Sequence, residues 1–208
     1  MSDESDRRSR AIAAFRALNA QDPNRILDAG VERPKELVAA ERLAAWVGRL
    51  EPSASEALVL ASHCQHLCRW ELPRSDFPEG RIGYLSWRKA LARRHADRAA
   101  AVLRDAGYGD ALIAEVRAIN LKQGLHANPD TQSMEDALCL SFLEFELDEF
   151  AGKHDDDKVV DIIQKTWGKM SERGHAKALE LAPALPPKSA ELVQRALSEQ
   201  PKSQDAKA

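Results

Sequence analysis

Cysteine is scarce in this chain. Cys64, Cys68 and Cys139 are its 3 cysteines, too few and too odd in number for a secreted disulfide framework, so a reducing cytoplasm is the expected location. No stretch approaches the ~20 consecutive apolar residues that a bilayer demands, which argues against a membrane partner. The opening residues, Met1 to Arg8, carry charge where a secretory signal needs an apolar core. Alternating Val/Ile-rich runs joined by hairpin turns are missing, and with them the signature of a sheet protein. There is no internal repeat, no glycine-rich phosphate loop and no serine or cysteine nucleophile motif. Charge of one sign is also limited, the net value being −3 over 208 residues.

What is present is helical. The hydrophobic share of 44% and charged share of 30% are those of a globular chain. Apolar spacings of three and four, with capping residues between them, predict an all-α fold: one bundle-like domain of about eight to nine helices. The expected organisation is a disordered stretch over 1–8, a domain over 9–185, and a C-terminal helix with a flexible tail over 186–208. Helices are expected from Ser9 to Ala20, from Pro34 to Leu50, and from Ala57 to Arg69 behind a Ser53/Glu56 capping box. Others follow from Gly83 to Ala106 closed by Gly107, from an Asp110 cap to Gly124, and from Met134 to Phe150. The last three start at Asp155–Asp157, Ser171 and Ser189. Gln21 to Arg33 and Asn128-Pro129-Asp130 read as loop and turn.

Four polar residues fall on the inward sides of these helices. His95 lies in the stripe Tyr84, Trp87, Leu91, His95, Ala99, Val102. Glu41 sits between Leu37 and Ala44, His66 shares a face with Val59, and Asp136 leads Leu140, Leu143 and Leu147. Each alone is explained by a satisfied core residue. Together they suggest a cation, because buried charges neutralise one another or hold an ion. Two imidazoles and two carboxylates suit manganese, iron, zinc or nickel. Cys64 and Cys68 read as small core residues rather than zinc ligands. Glu144, Glu146 and Asp148 read as an exposed face.

The order of a ligand residue, a histidine after an Ala-rich helix, a histidine on the next helix and a later aspartate resembles the HD phosphohydrolase superfamily. There a helical bundle holds one or two metals that activate water against a phosphoester. The signature His-Asp pair is absent, since Leu67 follows His66 and Glu41 stands at the first histidine. A closer resemblance spans nearly the whole chain. Pro34-Lys-Glu-Leu, Gln65-His66, Arg69-Trp70-Glu-Leu-Pro-Arg74, Gly83-Tyr-Leu-Ser-Trp-Arg88, Glu135-Asp136 and Lys165-Thr-Trp167 look like the domain-of-unknown-function 4202 family, which implies no activity.

From His63 to Ala106 nine basic residues face five acidic ones, for a net +4. Arg69, Trp70, Arg74, Arg81 and Tyr84 gather there just after His66. Arginine forks match phosphate and aromatic rings stack on bases, so these residues, with Lys122, are candidate substrate contacts; a plugged core and a solvated loop are the alternative. Glu71 is a candidate catalytic base. The expected activity is metal-dependent phosphohydrolysis of a nucleotide or other small phosphorylated metabolite. The alternatives are a helical module that binds a nucleotide, RNA or protein through the basic loop, and an iron-dependent oxygenase.

Overall fold

The computed structural model of the chain describes residues 2–199, with side chains from Ser5 onward. Among these residues the fold is all-α apart from one hairpin. In chain order the elements are α1 (Ser2–Asn19), β1 (Arg25–Asp28), β2 (Val31–Pro34), α2 (Lys35–Leu50), α3 (Glu56–Cys64), α4 (Gly80–Asp105), α5 (Asp110–Asn120), α6 (Pro129–Phe145), α7 (Leu147–Ala151), α8 (Asp156–Trp167), α9 (Glu172–Leu181) and α10 (Pro187–Ser198). Short 3-10 turns occupy Arg69–Glu71, Arg74–Asp76 and Ala182–Ala184. The chain divides into two compact units, residues 1–134 and 135–208, the boundary falling inside α6.

In the first unit α3 packs between α2 and α5, α5 packs on α4, and α1 lies against α2, α3 and α4. The core is the apolar stripe of each: Phe15, Val38, Trp46, Val47, Leu58, Leu60, Leu91, Leu103, Ile113, Val116 and Ile119 are all buried. Burial of such side chains contributes roughly 1.5–3 kcal/mol each, which holds the bundle together. In the second unit α10 packs on α7 and α8. Its buried side chains include Leu140, Leu143, Leu147, Val159, Val160, Ile163, Leu192 and Val193.

Several boundaries differ from the sequence reading. Helix α1 begins at Ser2, inside the stretch expected to be disordered. The cap of α3 is Ser55, whose hydroxyl accepts from Leu58 N at 3.0 Å, rather than Ser53. Helix α6 starts at Pro129, five residues before Met134, because Asn128 Oδ1 accepts from Asp130 N (2.9 Å) and Thr131 N (3.1 Å) with proline in the first turn. Gly107 does close α4, in the left-handed region at φ 92°. The expected tail beyond residue 199 lies outside the described residues.

The hairpin is the element the sequence reading missed. Strands β1 and β2 pair antiparallel with Asp28 opposite Val31. Ala29 and Gly30 make the turn at φ 48° and 83°, the doubly left-handed geometry of a two-residue hairpin. Alanine there lacks the Asn-Gly signal that marks such turns. Charge fastens the hairpin instead: Arg33 bonds Asp28 and Glu41 at 2.7 Å each, and Arg42 bonds Asp28 at 2.9 Å.

Candidate functional site

The site forms where the chain leaves α3. After Cys64 the backbone tightens into turns, with Leu67 N donating to Cys64 O (3.2 Å) and Arg69 N to His66 O (3.1 Å). Cys68 then adopts φ 53°, a conformation that strains a non-glycine residue, and its N–H donates to Asn19 Oδ1 at 3.1 Å. At this turn the Leu67 carbonyl accepts from His95 Nδ1 at 2.8 Å. A carbonyl can only accept, so Nδ1 carries the proton and Nε2 the lone pair. His95 is 3% exposed, and its Nε2 is buried without a hydrogen-bond partner.

His66 is the neighbour, its ring centroid 6.0 Å from that of His95. Burial first, then Arg69, His95, Lys122 and Arg88, hold the His66 pKa well below its usual range. Burial likewise pulls His95 down to about 4, against the Leu67 carbonyl and with help from Arg69 and Arg94. Both rings are therefore neutral near pH 7, and Arg69 contributes positive charge at each. Lys122, like Cys68, stands in the left-handed region, at φ 56°.

The basic loop is ordered by its own contacts. Arg69 lies over the face of Trp87 at 5.4 Å, and Trp87 Nε1 donates to Leu72 O at 2.9 Å. Arg74 donates to the carbonyls of Phe77 and Pro78 at 2.8 Å each, closing the turn before α4. Arg88 donates to the Tyr84 hydroxyl at 3.2 Å. Arg81 and Tyr84 are exposed and Trp70 is half-buried. Gly83 is required there: a Cβ would meet Pro78 O at 1.8 Å.

The remaining candidates serve other partners. Glu41 is bound by Arg16 at 2.8 Å and Arg33 at 2.7 Å, which ties the hairpin to α1 and α2. Glu71 accepts from Arg94 and Arg98. Burial would raise its pKa, but those two arginines hold it lower than usual, so it is a poor proton acceptor. Asp136 belongs to the second unit. It is fully buried and accepts from the backbone N–H (2.8 Å) and hydroxyl of Ser171, the cap of α9. Among the described residues no group of three or more His, Cys, Asp and Glu is placed to hold a metal. The imidazole donors brought together are His66 and His95.

A family model describing a domain of unknown function matches residues 9–193. The chain belongs to the DUF4202 family. No curated protein and no solved structure matches it. The DUF4202 site thus has to be read from its own geometry. Two neutral imidazoles fit a borderline divalent metal, and a backbone carbonyl on His95 Nδ1 is the support a metal-bound histidine commonly has. The carboxylate Glu41, expected to complete that set, is committed to arginines. Sequence reasoning passed over Arg88 as a site residue, although it counted among the basic residues between His63 and Ala106.

Proposed function

We propose that this chain binds the phosphate group of a small phosphorylated metabolite, a nucleotide among them, at the His66–His95 pair. The observation that supports this reading is the set of cations, Arg69, Lys122 and Arg88, acting on the half-buried neutral imidazole of His66. Three cations acting on one imidazole make a local positive potential that favours an anion. Phosphate answers that potential through charge-assisted hydrogen bonds, and the Arg69 fork matches its oxygens. Isothermal titration of the full chain with inorganic pyrophosphate tests it. Saturable binding that weakens about tenfold or more in Arg69→Ala and Lys122→Ala is expected, a charge-assisted bond being worth roughly 1.5–3 kcal/mol. Binding unaffected by either change, or absent in the wild type, would refute it.

Hydrolysis assisted by a divalent metal is the second reading, favoured by the Nδ1–H bond to Leu67 O that leaves His95 Nε2 available. His66 and His95 would hold the ion, which would supply an acidified water and polarise the phosphoryl oxygen. The protein's part would be to keep both imidazoles neutral and to seat the phosphate on Arg69 and Lys122. Elemental analysis of tag-free protein, with phosphate release measured before and after chelation, separates the two readings. RNA or protein capture through the basic loop would instead survive chelation and respond to Arg74→Ala.

A further inference from the structure

The outer face of α4 combines exposed aliphatic side chains with cations that the phosphate site does not use. From Gly80 to Ala96 the helix carries Arg81, Arg88, Lys89, Arg93 and Arg94 and no carboxylate, in a chain whose net charge is −3. Arg81, Leu85, Lys89 and Arg93 lie four apart and so form one row along the helix, with Ile82 beside it. All five are exposed, Ile82 at 83% and Leu85 at 55%. A lone exposed aliphatic is ordinary, but two neighbours one turn apart mark a contact surface. Arg94 is held by Glu71 and Arg88 donates to the Tyr84 hydroxyl. Arg81, Lys89 and Arg93 have no acidic partner among the described residues.

At the Arg93 end of the row the surface sinks into an open depression of about 650 Å³, lined by Glu71, Ala90, Arg93, Arg94, Asp97 and Arg98. Its two carboxylates are already engaged. Arg94 and Arg98 share Glu71 Oε2, and Arg117 holds Asp97 at 2.5 Å. The Arg93 fork is left for an outside acceptor. We propose that this face docks a short acidic segment of a partner protein. Aliphatic side chains of the segment cover Ile82 and Leu85, and its carboxylates meet Lys89 and Arg93, the last of them entering the depression. Ile82 and Arg93 are about 16 Å apart along the helix, a distance that about five extended residues span. Other occupants match less of the face. RNA would use the cations and leave Ile82 and Leu85 in water. A bilayer would take the aliphatics but is too flat to fill the depression. A second copy on a two-fold axis would set these cations against themselves.

The proposal stands apart from the phosphate reading, since none of Ile82, Leu85, Lys89 and Arg93 belongs to that site. Its test pans a phage library of random dodecapeptides on the purified full chain and measures the recovered peptides by fluorescence anisotropy. Enriched sequences should place aliphatic residues next to two or more carboxylates. Their affinity should fall about tenfold or more in Leu85→Ser and in Arg93→Glu. It should be unchanged in Leu179→Ser, which alters an exposed leucine of the second unit. Leu85 and Arg93 are exposed, so both variants should keep the wild-type thermal unfolding curve. No enrichment, enriched peptides without carboxylates, or equal binding to all variants would overturn the proposal. Sedimentation with vesicles of equal phosphatidylserine and phosphatidylcholine, and with polyuridylate RNA, covers the other occupants. Capture by either that Leu85→Ser and Arg93→Glu abolish would overturn it as well.

Discussion

His95 is neutral because its surroundings cannot support a second proton. It is buried, its Nδ1 proton is held by Leu67 O, and Arg69 and Arg94 add positive charge. A pKa of about 4 in the fold against 6.5 in the unfolded chain has a definite sign. Between those values the unfolded chain binds the extra proton and the native one does not, so stability rises with pH. The contribution is complete above pH 6.5 and is lost as pH falls toward 4, amounting to about 3 kcal/mol from this residue. His63 and His66 are also lowered, chiefly by burial, and act in the same direction. Urea unfolding at pH 7 and pH 4.5 should therefore show a marked loss in the wild type. The loss should be smaller in His95→Gln, whose amide can still donate to Leu67 O. Equal losses in both would show that His95 titrates normally.

At the scale of elements, Asp136 illustrates how a buried carboxylate can be explained without a ligand. It holds the first turn of α9 through Ser171 N and the Ser171 hydroxyl, and a Cβ on Gly174 would come within 2.7 Å of its Oδ1. Asp136→Ala should cost about 1–3 kcal/mol through lost hydrogen bonds. Gly174→Ala should cost a similar amount, about 1–3 kcal/mol, through crowding. Chemical denaturation of each variant measures both. Full stability in Asp136→Ala together with loss of ligand binding would return this residue to the site. The sequence showed that Asp136 points inward, because the apolar spacing behind it defines a face. It could not show what meets that face, since Ser171 is thirty-five positions away. Glu41 was hidden in the same way: its partner Arg33 sits on a hairpin whose Ala29-Gly30 turn carries little signal. Helices such as α4 and α8 were legible because Gly107 and Asp155 mark their ends locally.

At the scale of the molecule, the first unit brings α3, α4 and α5 together so that His66, on the turn after α3, lies beside His95 of α4. Periodicity alone placed His66 and His95 on inward faces, and its place in the basic segment just after His66 marked Arg69 as a candidate contact. Their closeness depends on the packing of α3 and α4, which no local pattern encodes. No helix of the described residues is long and apolar enough to cross a membrane. The account stands on one claim, that these two neutral imidazoles and their cations form an anion site. Its most direct test is a titration of the full chain with inorganic phosphate, followed by the imidazole ¹⁵N resonances of each histidine. Saturable shifts at His66 and His95, with His126 and His154 unmoved, are the expected result. Shifts spread evenly over all six histidines, or none at the pair, would contradict it.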